Sequence, residues 1–194
     1  MLSSFIFLEF TAVVLSIAYV VLATKASVWC WPPAFISSAI YIYIFIDAQL
    51  YFESFLNAYY VIMAIYGFYN WNKSGQSSSL AIVWSGLNSN VLIIGIGAVV
   101  SILIGFTSSY FTDASFPIID AFTTVFSLIA TWMVTQKRIE NWLYFIVIDV
   151  ISVYLYTSKE LYVTSGLFVV YIVIAIFGFI NWNKQLATSA NSAQ

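Results

Sequence analysis

Residues 66–73 read YGFYNWNK, and residues 177–184 read FGFINWNK. The second copy follows the first by 111 residues, and sliding the chain by that offset, without a gap, aligns far more than the motif. Ser16 falls on Ser127, Thr24 on Thr135, Trp31 on Trp142, Tyr43 on Tyr154, Leu50–Tyr51 on Leu161–Tyr162, and Tyr60 on Tyr171. Glu9 meets Asp120, acid opposite acid. Roughly a quarter of the positions agree in one unbroken register, which marks an internal duplication.

What is duplicated follows from composition. Of 194 residues, 62% are hydrophobic and only 7% are charged, against about 25% charged in ordinary globular domains. A chain of this size cannot hide that much apolar surface in a water-facing globule, so lipid must cover it. The apolar runs are continuous rather than alternating, which favours helices over a barrel. Seven spans are predicted, at about 5–23, 30–46, 54–71, 90–110, 117–136, 142–157 and 162–181. The stretch 74–90, SGQSSSLAIVWSGLNSN, reads as a loop with a partly membrane-associated segment.

Three helices, one extra helix and three more must carry both copies through the membrane in the same direction. The expected fold is therefore an all-α integral membrane protein with seven transmembrane helices. It has two parallel three-helix repeats joined by a linker helix (3+1+3), the kind of duplication from which transporters build a central pathway. The units are residues 1–73, the loop and linker helix 74–111, the second repeat 112–184, and a flexible polar tail 185–194. Lys25, Lys73, Lys137, Arg138 and Lys184 then share one side, facing Asp47, Glu53, Asp113 and the Lys159–Glu160 pair on the other. The excess of basic residues places the C-terminus in the cytoplasm and the N-terminus outside. The first apolar run contains Glu9 and has no basic region before it, so it is expected to be a retained span rather than a cleaved leader.

Enzyme chemistry has little to work with. The chain has no histidine and one cysteine, Cys30, so the usual general base, a disulfide framework and cysteine-based metal sites are missing. There is no phosphate-binding loop, and GIG at 95–97 lies in an apolar run as a packing element. The glycosylation sequon NKS at 72–74 falls on the predicted cytoplasmic side. A net charge of -2 without a basic patch argues against a nucleic-acid partner. No cofactor or metal is expected, and the oligomeric state is open to a homo-oligomer.

One residue is costly where it stands. Asp149 lies inside ENWLYFIVIDV, residues 140–150, in the sixth predicted span. A carboxylate near the middle of a bilayer costs about 2.5–3.5 kcal/mol even on the forgiving insertion scale. No Lys or Arg lies in any predicted span. Either the acid is neutral and bonded to a neighbouring helix, or its counter-charge arrives with a substrate. Trp142, Phe145 and Asp149 share a helical face at i, i+3 and i+7, with Ser152 and Tyr156 extending the stripe. Aromatic rings beside a carboxylate suit a flat cation; Trp142 could equally be an interfacial anchor.

The offset of 111 carries Trp142 to Trp31 and Asp149 to Ser38, an uncharged counterpart face. In the third span, Asn57, Tyr60 and Ala64 form a second stripe, with Asn57 able to bond either a ligand or a neighbouring helix. Glu9 and Asp120 stand near the outer ends of their spans, as a cation-attracting vestibule or as solvated helix starts.

The motifs ENW at 140–142, QLY at 49–51 and IYGFYNW at 65–71, together with the 3+1+3 layout, resemble the PnuC-type vitamin transporters. The resemblance runs from Glu9 to Lys184. It implies a full-length SWEET-like fold in the bacterial inner membrane. It also implies facilitated diffusion of nicotinamide riboside, thiamine or riboflavin, and trapping of the vitamin by a cytoplasmic kinase. The nicotinamide riboside branch resembles a sixth-span pattern of Trp, two residues, Trp, three residues, Asn. Here Trp142 matches the first aromatic, Phe145 replaces the second and Asp149 replaces the Asn; Asn57 stands where that branch has Gln. An anionic Asp149 disfavours neutral riboflavin, since binding would leave a buried charge unpaired. Thiamine and nicotinamide riboside both carry a permanently positive ring, and the departures favour thiamine. A proton-coupled symporter and a structural assembly subunit remain as alternatives.

Overall fold

Two helix ends are built to one pattern. In the computed structural model, which describes residues 2–47, 51–72, 80–111, 116–158 and 160–191, α1 (Leu2–Thr24) and α5 (Pro117–Thr135) both stop on a left-handed residue that is not glycine. These residues are Ala26, at φ 52°, and Lys137, at φ 49°. Each turn returns two N–H groups to the helix. Ala26 donates to Ala23 O at 2.9 Å and Ser27 to Leu22 O at 3.3 Å, while Lys137 donates to Val134 O at 2.9 Å and Arg138 to Met133 O at 3.0 Å. This is a Schellman closure, which satisfies carbonyls that the helix end would otherwise orphan. The two copies sit 111 residues apart.

After a 3-10 turn at Val28–Cys30 come α2 (Trp31–Asp47), α3 (Tyr51–Asn72), α4 (Leu87–Phe111), α6 (Asn141–Ser158) and α7 (Tyr162–Asn191). The helices match the expected extents to within three residues, with one exception. A mobile tail is expected from Gln185, but α7 continues in helix to Asn191. Gln, Leu and Ala favour the helix there, and the hydroxyls of Thr188 and Ser189 bond back to the carbonyls of Lys184 and Gln185. The part of the 74–90 loop that lies within the described residues is docked. Val83 donates to Lys137 O at 3.1 Å and accepts from Ile139 N–H at 3.0 Å, which lays residues 80–86 across the α5–α6 turn.

Among the described residues, six of the seven helices are long and apolar enough to cross a membrane. The helix that falls short is α3, which carries Glu53, Ser54, Asn57 and Asn70 among its tyrosines. Burial is inverted relative to a soluble fold. Phe7, Phe10, Leu92, Leu103 and Val150 are exposed, whereas Ser38, Asn57, Asn141, Asp149 and Ser152 are buried. Apolar surface turned outward with polar groups inside is what a lipid solvent selects.

The packing order closes on itself. α1 lies against α2, α2 against α3, α3 against α5, α5 against α6, α6 against α7, and α7 against α1. Among the described residues no other pair of these six helices packs backbone against backbone, so they form a ring. α4 packs outside the ring along α5, with Asn90 near its start also bonded to Glu140 and to Tyr144 of α6. Small residues allow its close approach: a Cβ on Gly97 would lie 2.9 Å from the Phe126 ring, and one on Gly105 would lie 2.7 Å from the Ile118 backbone.

Candidate functional site

One end of the ring is filled by tryptophan. Trp31 at the start of α2 meets Trp71 at the end of α3 edge-on, with centroids 5.1 Å apart. Trp142 at the start of α6 meets Trp182 on α7 in the same way at 5.5 Å. Trp71 and Trp182 approach each other at 6.1 Å, joining the pairs into one layer. Each outer ring lies flat on a glycine. A Cβ on Gly178 would come within 2.6 Å of Trp142, and one on Gly67 would collide with Trp31. Cys30, Ile82, Ile139 and Ala175 seal the same cluster.

Hydrogen bonds tie this layer across the ring. Trp71 Nε1 donates to Thr135 O at 3.0 Å and Trp182 Nε1 to Ala23 O at 2.9 Å. Trp182 therefore reaches a carbonyl of the α1 closure, and Trp71 reaches the last carbonyl of α5, one residue beyond the position that corresponds to Ala23. Asn70 Nδ2 adds a second donor to Thr135 O at 2.8 Å. A further matched bond holds the opposite ends of these helices: Ser54 Oγ to Ile42 O at 3.5 Å, and Ser165 Oγ to Val153 O at 3.3 Å. Lys137 stacks on the Trp71 ring at 4.7 Å, and burial pushes the pKa of its ammonium down.

Behind the layer the interior is polar. Asp149 on α6 retains 6% of its surface and makes no hydrogen bond or ion pair with another described residue. Tyr171 on α7 lies within electrostatic reach of Asp149 and also of Tyr41 on α2, although α7 and α2 are not neighbours in the ring. Tyr19 on α1 is likewise within reach of Tyr60 on α3, and Tyr60 stands against Ser127 on α5. Tyr19, Tyr41, Tyr60, Tyr171 and Ser127 are each half-buried, and Asp149 is buried.

The residues expected from sequence separate into two levels. Trp31 and Trp142 belong to the sealed layer, and Phe145 packs at its inner edge between that cluster and Phe126, Ala130 and Ile148. Trp142 takes Trp182, not Phe145, as its ring partner. Asp149, Ser38, Asn57 and Tyr60 sit deeper, Ser38 on the helix across the ring from Asp149. Asn57 spends its amide donor on its own helix, at Glu53 O, 2.8 Å away, which leaves its oxygen as the open end. Sequence reasoning gave no role to Trp71, Trp182 or Tyr171. The signals for them were the repeated NWNK and the pairing of Tyr60 with Tyr171 at the 111-residue offset. An apolar groove of about 350 Å³, lined by Leu8, Phe35, Ile36, Ala39, Ile40 and Tyr43, lies on the outer face and is separate from this interior.

A ring of apolar-faced helices around a polar interior defines a multi-pass membrane transporter rather than an enzyme. The sequence matches the model of the nicotinamide mononucleotide transporter family over residues 6–184, and the chain belongs to that family. It is 26% identical over 166 residues to the nicotinamide riboside transporter PnuC of Escherichia coli, covering 72% of this chain and 69% of the relative. The riboflavin/roseoflavin transporter RibM of Streptomyces davaonensis is 22% identical over 175 residues, covering 87% and 81%. The fold of this chain is similar to that in the crystal structure of the vitamin B3 transporter PnuC, with a TM-score of 0.74 at 23% identity over 94% of this chain and 83% of that one.

Proposed function

We propose that this protein takes up a small vitamin with a permanently cationic ring, thiamine in first place, by facilitated diffusion with alternating access. The observation that carries the reading is Asp149: a buried carboxylate facing the interior, with no cation beside it among the described residues. Holding that charge costs about 2.5–3.5 kcal/mol in a membrane, and a cationic ligand is the partner that would offset it. Tyr171, Tyr41, Tyr60 and Phe145 supply aromatic surface for the ring. All seven helices then cross the bilayer, α3 included, because Ser54 and Asn57 in its span are buried against the other helices. The matched closures, indole bonds and serine bonds support a 3+1+3 pair of parallel repeats. The N-terminus lies outside and the C-terminus in the cytoplasm of a bacterial inner membrane, and a cytoplasmic kinase would trap the delivered vitamin.

Nicotinamide riboside is the second reading, favoured by the name of the Escherichia coli relative and equally served by the charge argument. Asp149 and Phe145, in place of Asn and Trp, are what tilt the choice toward thiamine. Calorimetric titration of the purified protein with thiamine, nicotinamide riboside and riboflavin decides between them. Thiamine is expected to bind at least tenfold tighter than the others. Binding of nicotinamide riboside alone would reverse the order, and tight binding of riboflavin alone would remove the cation argument altogether. The Asp149→Asn variant should lose most of the thiamine affinity while unfolding at a temperature no lower than the parent.

A further inference from the structure

The tryptophan layer closes the ring at two seams, α3 against α5 and α1 against α7, and the two are not held equally. At the α3–α5 seam, Thr135 O receives both Trp71 and Asn70. Gln136 Nε2 donates to Tyr66 Oη at 3.0 Å, and Tyr59 Oη donates to Leu128 O at 3.0 Å. The 80–86 segment then pins the turn that follows, through Val83 on both sides of Arg138. Glu140 fixes that segment in place. It accepts from the Ser85 backbone N–H, from Ser85 Oγ at 3.4 Å and from Asn90 Nδ2 at 2.9 Å. At the α1–α7 seam, among the described residues, one cross-helix bond does the equivalent work, Trp182 to Ala23 O. Asn181, which corresponds to Asn70, makes no hydrogen bond among the described residues. The 80–86 segment touches α7 too, Trp84 meeting Phe179 edge-on at 6.0 Å.

We propose that the closed end opens at the α1–α7 seam, α1 swinging from Trp182, while the α3–α5 seam stays shut as the fulcrum. The pairing of helices is the same at both seams, and among the described residues the polar ties are more numerous at α3–α5. With a net worth of about 0.5–1.5 kcal/mol for each ordinary hydrogen bond, the surplus at the α3–α5 seam is large enough to decide which one parts first. A duplicated architecture thereby gains a hinge side and a moving side. The inference rests on the alternating-access reading above, but neither of its readouts involves a substrate. A failed vitamin assignment therefore leaves it standing, and its own failure leaves the vitamin assignment standing.

The test uses the matching helix closures as internal standards. In hydrogen–deuterium exchange of the unmodified protein in lipid nanodiscs, the amides of Ala26 and Ser27 should exchange at least about tenfold faster than those of Lys137 and Arg138. Equal protection, or slower exchange at Ala26 and Ser27, overturns the proposal. A second readout is Cys30, fully sealed in the cluster and the chain's single cysteine. Its modification by N-ethylmaleimide should speed up severalfold in Trp182→Phe and change little in Trp71→Phe, whose seam keeps its other ties. If Trp71→Phe exposes Cys30 as readily as Trp182→Phe, the assignment of hinge and moving side is wrong. Should Trp182→Phe fail to fold, the exchange comparison on the parent decides alone.

Discussion

Trp31 and Trp142 occupy corresponding places 111 residues apart, each 2% exposed, and neither indole N–H reaches an acceptor. Their neighbours Trp71 and Trp182 both do. The layer thus holds two satisfied and two unsatisfied donors of the same chemistry, in the same cluster. An unpaired buried donor costs about 1–3 kcal/mol, whereas removing Trp71 or Trp182 Nε1 breaks a bond that is made, even though Thr135 O keeps Asn70 and Ala23 O keeps the Ala26 N–H. Trp31→Phe and Trp142→Phe should therefore be mild, because losing the orphan N–H offsets much of the lost ring area. Trp71→Phe and Trp182→Phe should each destabilise by about 1–2 kcal/mol more than those. Thermal unfolding of the four variants in one detergent checks this, and four equal midpoints would contradict it.

The glycines under the outer rings give a second contrast. Gly67 and Gly178 leave no room for a methyl group, since Trp31 and Trp142 lie on their Cα atoms. Gly67→Ala and Gly178→Ala should each destabilise by about 1–3 kcal/mol, the usual penalty for overpacking a filled core. Gly166, in the same helix as Gly178, faces open space. Gly166→Ala should stabilise α7 by up to about 1 kcal/mol through helix propensity alone. The measurement is again the unfolding midpoint, and the signs of the shifts carry the prediction.

What could be read from the sequence was local or periodic. Helix extents follow from apolar run length, and the 111-residue offset exposes which residues correspond, because both signals are carried along the chain. Asp149 stood out because lipid makes a carboxylate expensive wherever it sits. Contacts at long range were out of reach. Nothing in NWNK says that its tryptophan will find the carbonyl of Thr135 or of Ala23, since those acceptors are backbone atoms with no sequence signature. Trp142 was grouped with Phe145 by helical spacing, which fixes a face but not which neighbour the ring meets; Trp182 won that contact. The docking of residues 80–86 was equally hidden, because its partners are the main chain of the α5–α6 turn and the side chain of Glu140.

Glu140 is the residue whose loss should free that segment. Its carboxylate is buried, at 3% exposure, and collects donors from Ser85 and Asn90, while Tyr144 Oη bonds the other end of the Asn90 amide at 3.1 Å. Bonds to a charged acceptor are worth about 1.5–3 kcal/mol each, so Glu140→Ala should destabilise by at least about 2 kcal/mol. Glu140→Gln keeps the shape but turns one acceptor into a donor, and should fall between the alanine variant and the parent. Limited proteolysis by chymotrypsin at Trp84 reports the release directly. Cleavage should accelerate in the order parent, Gln, Ala, and an unchanged rate in Glu140→Ala would show that the backbone bonds of Val83 suffice.

The two left-handed closures make a final matched test. An L residue in this conformation costs about 1–2 kcal/mol, and glycine removes that cost while giving back about 0.5–1 kcal/mol in unfolded-state entropy. Ala26→Gly should therefore stabilise by about 0.5–1 kcal/mol. Lys137→Gly gains the same relief but loses the stacking of the ammonium on Trp71, so its net effect at neutral pH should lie near zero. The pH dependence separates the two positions further. Burial lowers the folded-state pKa of Lys137 below its ordinary 10.5, so the unfolded chain binds the proton more tightly. The contribution of Lys137 to stability is then complete above that ordinary value and is lost as pH falls through the lowered one. Raising pH from neutral toward 10.5 should favour the parent over Lys137→Gly, while the difference between the parent and Ala26→Gly stays flat. Chemical denaturation of the three proteins across that range measures both slopes, and a parallel rise in the Ala26→Gly comparison would assign the effect to the closure rather than to the lysine.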